Sequence, residues 1–174
     1  MTARVFDTMF NRLMGCEGAY QCDPRDRGNW TSGKCGVGEC KGTKFGVSAM
    51  AYPDLDIKNL TIAQAKYIFQ KDYWDKCKCD YLPDCIAVLV SDYAYNSGRS
   101  RAIKSLQECL KIKADGIIGN QTLCAVNSTN LKKLVEDYCH SRLEFLKTCK
   151  TWHIYSKGWT NRVNDMQKMA EELV

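Results

Sequence analysis

The chain has 174 residues, of which 45% are hydrophobic and 26% are charged, and its formal net charge is +5. This composition is typical of a globular protein with one domain or two small lobes, and no apolar run reaches the roughly 18 residues that a membrane-spanning helix needs. The basic residues are scattered, without zinc-finger spacing, an aromatic RNA-binding signature or a Lys/Arg-dense helix, so we expect no nucleic-acid partner.

The N-terminal third changes character near residue 15. Apolar residues at helical spacing predict a helix over residues 3–14 that ends near Gly15. Polar residues interrupt this segment, so it does not resemble a secretory signal peptide, and export would need another route. Residues 16–48 lose the periodicity and hold seven glycines between Gly18 and Gly46. They predict loops with a small β-hairpin, with the best strand candidate at TKFGVS, residues 43–48.

The remainder of the chain predicts further helices. Thr61 and Gln64 form a capping-box pattern at the start of one helix. After Pro83, the segment CIAVLVSDYAYN is apolar almost all round, which is typical of a helix buried at the centre of a molecule. Further amphipathic segments predict helices over residues 100–112, from about residue 120, over 130–150 and over 161–173. The fold class is therefore mainly α, a helical bundle around a buried central helix, with a small N-terminal β-hairpin lobe.

Eleven cysteines are many for this length, and their number is odd. We expect most of them to be reduced thiols that fill apolar space. Those in the glycine-rich loop (Cys35, Cys40) and around Pro83 are candidates for pairing if the protein reaches an oxidising compartment. The chain has two histidines and no paired C-x2-C spacing, so we expect no metal site and no cofactor.

The irregular N-terminal region holds a dense group of acidic and hydroxyl residues. Glu17 follows the first predicted helix, Asp26 lies nine residues later and Thr31 five residues after that. Cleavage of a glycosidic bond needs a carboxylic acid that protonates the leaving oxygen and a second polar group that stabilises the developing positive charge or orients water. Spacing alone, however, favours an ordinary solvated glutamate at a helix end.

Motifs spread over the chain resemble those of glycoside hydrolase family 108. CEGAY followed by DPRDRGNWT resembles that family's E-G-G-Y box, Asp-Pro and D-x-G-G-x-T-x-x-G-I-[ST] pattern, TKFGVS resembles the end of the same pattern, and DYAYNSG resembles its D-x-x-x-N-x-G box. SLQECLKIKADGIIGNQT resembles the L-Q-x-x-L…D-G-x-x-G-x-x-T segment of a predicted peptidoglycan-binding region, and KGWTNR resembles its closing G-W-x-x-R. The order is the same, and the match covers nearly the whole chain.

The resemblance implies an α+β lysozyme-like fold and a phage endolysin that acts as an N-acetylmuramidase and lyses bacterial cells. It implies a catalytic lobe at residues 1–92 and a helical peptidoglycan-binding lobe at 93–174. The partners would be peptidoglycan glycan strands, and we expect a monomer. Such an enzyme is made in the host cytoplasm and reaches the wall in the periplasm after release by a holin.

Site residues are carried over position by position. Glu17 matches the catalytic glutamate of the family, and Asp26 matches its aspartate. Thr31 keeps the distance from Asp26, whereas Thr43 begins the better local match beyond the apparent insertion SGKCGVGECKG; either threonine could face the cleft, and Thr31 is favoured. The residues expected to bind substrate, besides Thr43, are Tyr20, Tyr73, Asp92 and Asn96, although aromatic residues at helical spacing more often belong to a core.

Two alternatives remain open from the sequence. The first is a peptidoglycan-binding module that has lost catalysis. The second is a wall peptidase with a cysteine nucleophile, Cys16 or Cys139, which would need a nearby histidine and a lowered thiol pKa.

Overall fold

The computed structural model describes the backbone of residues 3–16 and 19–174 and the side chains of residues 5–15 and 19–174. Within that part of the chain, the fold is mainly α with one small antiparallel sheet, which confirms the predicted mainly α, lysozyme-like class. None of the described helices is both long and apolar enough to span a bilayer. The elements are α1 (Ala3–Cys16), β1 (Thr43–Lys44), β2 (Val47–Ser48), α2 (Ile62–Phe69), α3 (Asp84–Ser97), α4 (Arg99–Cys109), α5 (Asn120–Asn127), α6 (Leu131–Lys147) and α7 (Trp152–Glu171).

The chain divides into two compact units. The smaller unit is Thr8–Phe69, and the larger one joins Met1–Asp7 to Gln70–Val174. Residues 92 and 93 both lie on α3, a continuous helix of the larger unit, and the predicted division into lobes at 1–92 and 93–174 stays a prediction. A helix that is buried along most of its length packs as one piece, so its two halves belong to the same core.

In the smaller unit, the predicted strand at residues 43–48 is a complete hairpin. Thr43 pairs with Ser48 and Lys44 pairs with Val47. The two residues of the turn, Phe45 and Gly46, both have positive φ angles, of 52° and 77°. Positive φ at both central residues is what a two-residue hairpin turn requires, and glycine supplies it at little cost. The six residues are therefore two short strands and a turn, not one strand.

The predicted capping box at the start of α2 is confirmed. The Gln64 backbone N–H donates to Thr61 Oγ1 at 3.2 Å, and the Thr61 backbone N–H donates to Gln64 Oε1 at 2.8 Å. These two bonds satisfy amide groups that a helix start otherwise leaves unpaired. The buried core of this unit is formed by the apolar side chains Met9, Phe10, Leu13, Val47, Ala49, Ile57, Leu60, Ala65 and Phe69.

In the larger unit, α3 is the buried central helix that its apolar sequence predicts. All ten residues from Cys85 to Ala94 are buried, and α3 packs against α4, α6 and α7. The helix ends where predicted, because Gly98 follows with a φ of 91° and its N–H donates to the Ala94 carbonyl at 2.8 Å. A residue with positive φ is a common helix stop, and glycine tolerates it.

The last helix starts nine residues earlier than predicted. The sequence pattern placed its start at Asn161, but α7 begins at Trp152 and includes Gly158. A single glycine weakens a helix by about 1 kcal/mol, which other contacts offset. The ring of Trp159 lies 5.6 Å from that of Tyr155 and 6.2 Å from that of Trp152, so aromatic contacts support this first part of α7.

Gly42 and Gly36 provide a matched test of backbone packing in the smaller unit. Both have positive φ, of 83° and 79°, but a Cβ added to Gly42 would lie 2.5 Å from the Gln21 carbonyl oxygen and 2.6 Å from Tyr20 Cε2, whereas one added to Gly36 meets nothing within 4 Å. We expect Gly42→Ala to lower the free energy of unfolding by roughly 1–3 kcal/mol more than Gly36→Ala, because a close-packed site must move. Urea denaturation of both variants measures the difference, and equal losses would contradict the described packing.

Candidate active site

The residues that the sequence assigns to catalysis belong to the smaller unit. Glu17, the predicted general acid, lies outside the described residues. Asp26, Thr31, Thr43 and Tyr20 are described. The site is therefore built from the segment that follows Glu17.

Asp26 is an exposed carboxylate at the start of a short 3-10 helix, Arg27–Asn29. Its Oδ1 accepts a hydrogen bond from the Gly28 backbone N–H at 2.9 Å, so the side chain caps this helix. Its Oδ2 accepts a longer bond, of 3.4 Å, from Gln21 Nε2. One oxygen is thus held by the backbone and fixes the carboxylate, while the second faces a weaker donor and keeps capacity for a ligand or a water molecule.

A partly buried amide network contacts Asp26 through Gln21. The side chain of Asn29 is 0% exposed, and it forms a reciprocal pair with Gln21: Asn29 Nδ2 donates to Gln21 Oε1 at 2.8 Å, and Gln21 Nε2 donates to Asn29 Oδ1 at 3.1 Å. Thr43 Oγ1 donates to the same Asn29 oxygen at 2.7 Å. Because a buried amide needs partners for both its nitrogen and its oxygen, this network fixes the positions of its members.

The two threonine candidates have different surroundings. Thr43 joins the network that reaches Asp26 through Asn29 and Gln21. Thr31 Oγ1 instead accepts from the Glu39 backbone N–H at 3.0 Å, and the Thr31 N–H donates to the Glu39 carbonyl at 3.0 Å. The hydroxyl of Thr31 therefore closes the base of the loop between them.

That loop is the insertion apparent in the sequence. Trp30 and Cys40 pair across its base in an isolated antiparallel bridge. Thr43 in turn pairs with Gln21, through backbone bonds of 2.8 and 2.9 Å. The chain thus leaves the site after Trp30 and returns at Cys40, so Thr43 is adjacent to the Asp26 segment in space although it is distant in sequence.

Tyr20 is half-buried beside this network. Its ring packs closely over Gly42, which leaves no room for a Cβ at that position. The hydrogen bond with Cys22, together with partial burial, raises the pKa of Tyr20 above its ordinary value. The phenol is therefore neutral at neutral pH and keeps a hydroxyl that can donate a hydrogen bond.

A groove with a volume of about 650 Å³ also opens on the smaller unit. Its lining is mostly apolar and includes Tyr52, Pro53 and Tyr67. The lining begins at Ala51, directly after Met50, and the Met50 N–H donates to the Gly28 carbonyl at 3.0 Å. This hydrogen bond links that wall of the groove to the segment that holds Asp26. Aromatic faces of this kind suit the apolar faces of sugar rings.

In the larger unit, Asp92 lies at the centre of a buried ion cluster. It is 1% exposed, and Arg142 Nη1 on α6 donates to its Oδ2. Arg162 on α7 donates to Asp92 Oδ1 from Nη2 at 2.9 Å and from Nε at 3.1 Å. Burial alone raises the pKa of Asp92, but the two guanidinium charges outweigh it and hold that pKa below its ordinary value.

This arrangement gives Asp92 a structural role. Both carboxylate oxygens are occupied by arginines, and the side chain has almost no surface to offer to a substrate. Asp92 belongs to the DYAYNSG motif and Arg162 to the KGWTNR motif. The two residues lie 70 positions apart in sequence and form an ion pair in the structure. The role of Asp92 in binding substrate stays a prediction.

Tyr73 and Asn96 also lie in the larger unit, and both are half-buried. The ring of Tyr73 meets that of Tyr95 edge to face, with centroids 4.8 Å apart. Asn96 Oδ1 accepts from Ser97 Oγ at 2.8 Å near the end of α3. Both side chains keep some exposed surface, and their predicted roles in binding substrate stay predictions.

The DGIIGNQT segment forms its own hydrogen-bonded core. Gln107 on α4 is 1% exposed, and its amide nitrogen contacts the Asp115 carboxylate (2.8 Å), the Ile117 carbonyl (3.0 Å) and the Thr122 hydroxyl (3.1 Å). Its oxygen accepts from the Gly116 N–H at 2.8 Å. Four residues of the motif are thus gathered around one glutamine, which holds the connection between α4 and α5 in place.

Three residues of these networks were not singled out from the sequence. Gln21 and Asn29 support Asp26, and Arg142 pairs with Asp92. The available signal was Asn29, which occupies the second glycine position of the D-x-G-G pattern. The described residues hold no cluster of three or more His, Cys, Asp or Glu side chains that could bind a metal ion.

Comparisons with known proteins agree with this architecture. Residues 10–98 match the family model for Glycosyl hydrolase 108, and residues 101–164 match the model for a Predicted Peptidoglycan domain. The protein is therefore a glycoside hydrolase, and its substrate is peptidoglycan. More particularly, because the first match spans half of the chain, the chain belongs to the Glycosyl hydrolase 108 family.

A solved structure is similar over the full length. The structure of SagA from Brucella abortus has 29% sequence identity with this chain, and the alignment covers 99% of this chain and 97% of that one with a TM-score of 0.84. A comparison with curated proteins gives no significant match. The structural similarity extends over both units of the chain, including α7.

The ion cluster predicts a large effect of one buried substitution. Asp92→Asn leaves Arg142 buried without a countercharge, so we expect the free energy of unfolding to fall by roughly 3–5 kcal/mol in urea denaturation. Because the pKa of Asp92 is depressed in the folded state, its contribution is complete above the unfolded value of 3.8 and is lost as the pH falls through the folded value. The difference in the free energy of unfolding between wild type and Asp92→Asn should therefore become smaller at acid pH.

Asp137→Asn is the matched control, since it removes an exposed carboxylate 3.3 Å from Lys133 on the same helix as Arg142. Exposed ion pairs contribute little, so this variant should stay close to wild type. Equal stability of the two variants would show that the buried cluster does not hold the larger unit together.

Proposed function

We propose that the protein is an N-acetylmuramidase that hydrolyses the β-1,4 bond between N-acetylmuramic acid and N-acetylglucosamine in peptidoglycan. The observation that supports this most directly is the fixed, exposed Asp26 carboxylate, which is backed by the Gln21–Asn29–Thr43 network. It lies within the segment that matches Glycosyl hydrolase 108 and follows Glu17 at the spacing of the family motif.

The proposed chemistry divides three roles among these residues. Glu17 protonates the leaving glycosidic oxygen as general acid. Asp26 stabilises the positive charge of the oxocarbenium-like transition state or orients the attacking water. A threonine hydroxyl assists in positioning that water, and no cofactor takes part in this scheme.

The test of the general acid is product analysis with Glu17→Gln. We expect wild-type protein to release fragments with reducing N-acetylmuramic acid ends from purified peptidoglycan, as measured by mass spectrometry after borohydride reduction. Loss of the proton donor should lower the rate by at least about 100-fold. Glu39→Gln is the control, because Glu39 is an exposed carboxylate of the same unit and pairs with Lys41 at 3.4 Å.

The variants must remain folded for this comparison, which circular dichroism checks, and Glu17→Gln should still sediment with insoluble peptidoglycan. Hydrolysis by folded Glu17→Gln at the wild-type rate would rule out the assignment of Glu17. Absence of reducing ends from the wild type would instead favour the binding module without catalysis.

The choice between the two threonines is a separate test. The contacts favour Thr43, because its hydroxyl belongs to the network that holds Asp26, whereas Thr31 caps the inserted loop. We expect Thr43→Val to lower kcat by at least about tenfold, the effect of losing one well-placed hydrogen bond, and Thr31→Val to cause a smaller loss. Thr43→Ser should restore most of the activity, and a larger loss from Thr31→Val would return the role to Thr31.

The alternative of a wall peptidase with a cysteine nucleophile is disfavoured for one of the two candidates, Cys139. Cys139 is 2% exposed, and burial raises its pKa to about 12, which is opposite to the shift that activates a thiol. The side chain of Cys16 lies outside the described ones. The product analysis above also separates this reading, since a peptidase would release new amino groups and no reducing sugar ends.

We further propose that the enzyme is a monomeric phage endolysin, made in the host cytoplasm and released to the periplasmic wall by a holin. The support is the pairing of a glycoside hydrolase with a predicted peptidoglycan domain in one short chain. Cells that express the wild type should then lyse only after their inner membrane is permeabilised, and cells that express Glu17→Gln should not lyse at all. Lysis without permeabilisation would contradict the proposed route.

A further inference from the structure

The thiols of Cys22 and Cys40 meet beside the candidate active site. Their sulfur atoms lie 3.1 Å apart, and Cys22 Sγ also lies 3.3 Å from the Cys40 carbonyl oxygen. Both cysteines are free and half-buried. A disulfide bond is about 2.05 Å long, so an approach of about 1 Å would close this contact into a bond.

The backbone, rather than the thiols, brings the two residues together. Gln21, directly before Cys22, is bridged to Thr43 by two backbone hydrogen bonds, and Cys40 is itself bridged to Trp30. These pairings hold the backbone next to each cysteine, and the two sulfur atoms already lie 3.1 Å apart in that arrangement. The side-chain amide of the buried Asn29 also exchanges two hydrogen bonds with that of Gln21, next to Cys22.

The chemical state of the pair agrees with this geometry. The hydrogen bond with Cys22 and partial burial raise the pKa of Cys40 to about 11. At neutral pH, Cys40 is therefore a protonated thiol in contact with a second sulfur. Joining the two sulfurs is a two-electron oxidation, so it needs an oxidant, and it proceeds through the small fraction of thiolate present.

We propose that Cys22 and Cys40 form an intramolecular disulfide when the protein meets a disulfide oxidant. One protein thiol loses its proton and attacks the oxidant R–S–S–R, which gives a mixed disulfide and one R–SH. The other thiol, after losing its proton, attacks the protein sulfur of that mixed disulfide and releases a second R–SH. The two protein sulfurs lose two electrons in total, and the oxidant gains them.

The cross-link joins positions 18 residues apart and encloses Asp26, Asn29 and the base of the inserted loop. It would fix the two ends of the segment that carries the candidate catalytic aspartate. Disulfides persist in oxidising compartments such as the periplasm and are reduced in the cytosol. The bond would therefore form after export, in the compartment where peptidoglycan lies. The formation of the bond itself does not rest on the proposed muramidase activity.

Peptide mapping of the full-length chain tests the link directly. Tryptic cleavage after Arg12, Arg25, Lys34 and Lys41 gives peptides 13–25 and 35–41, each with one additional cysteine, Cys16 or Cys35. The double variant Cys16→Ser/Cys35→Ser therefore leaves Cys22 and Cys40 as the only cysteines of these two peptides. The reduced protein is incubated with oxidised glutathione, quenched with N-ethylmaleimide, denatured and digested.

We expect the two peptides to appear joined, two hydrogens lighter than their sum, and to separate on treatment with dithiothreitol. The oxidised protein should also unfold at a temperature roughly 5 °C higher than the reduced one, because the closed loop restricts the unfolded chain. The same background with Cys22→Ser should show neither the joined peptide nor the shift in temperature.

Oxidation in 6 M guanidinium chloride separates a geometric cause from random pairing. The yield of the joined peptide should be several-fold higher from folded protein than from unfolded protein. The proposal is overturned if both cysteines of the folded protein remain fully alkylated, if each carries glutathione separately, or if folding does not raise the yield. Because no readout depends on lysis, a failure here is distinguishable from a failure of the muramidase assignment.

Discussion

The larger unit depends on one buried carboxylate. Asp92 lies on the central helix α3 and is neutralised by Arg142 from α6 and Arg162 from α7. Removing charged groups from water is expensive, and only close countercharges and hydrogen bonds offset the cost. The three helices must therefore keep the relative positions that bring both guanidinium groups to Asp92, so this cluster fixes their register more narrowly than apolar packing alone would.

In the smaller unit, neutral amide side chains rather than charged groups hold the chain in place. Its segment between Tyr20 and Ala49 has few residues in regular structure, so many backbone amides lack a helical or strand partner. Asn29 and Gln21 exchange two hydrogen bonds, and Asn29 also contacts the Asp23 carbonyl and Thr43. A loop can hold its side chains precisely in this way, because buried amide groups such as that of Asn29 have specific partners.

The parts of the fold that depend on residues close together in the sequence were predictable. The run from Cys85 to Ala94 is apolar almost all round and is buried, and the Thr61–Gln64 box forms as its spacing indicates. The start of α7 was missed because Gly158 resembles a break, while the aromatic contacts that offset it are visible only once the helix is built. Arg142 could not be assigned to Asp92, since the two lie 50 residues apart and only the packing of α3 on α6 joins them.

For the candidate site, the sequence points to a segment but not to its connectivity, and the catalytic assignments stay predictions. Asp26 is assigned through its match to the family motif, and the structure adds that its side chain caps Arg27–Asn29. The spacing between Asp26 and Thr31 favoured that threonine, because distance along the chain was the available measure. Distance along the chain does not reveal the Trp30–Cys40 bridge, beyond which the chain returns to place Thr43 against Asn29.

The same bridge has a consequence for protein engineering. The chain leaves and re-enters the smaller unit at the Trp30–Cys40 pair, so the length of the loop over residues 32–38 is largely uncoupled from the Asp26 network. Loops whose ends are already joined accept insertions at small entropic cost. A short peptide with affinity for a chosen cell surface, grafted into this loop, would be displayed on the unit that carries the candidate catalytic residues. The inserted segment is thus a natural attachment point for redirecting the enzyme to new bacterial surfaces.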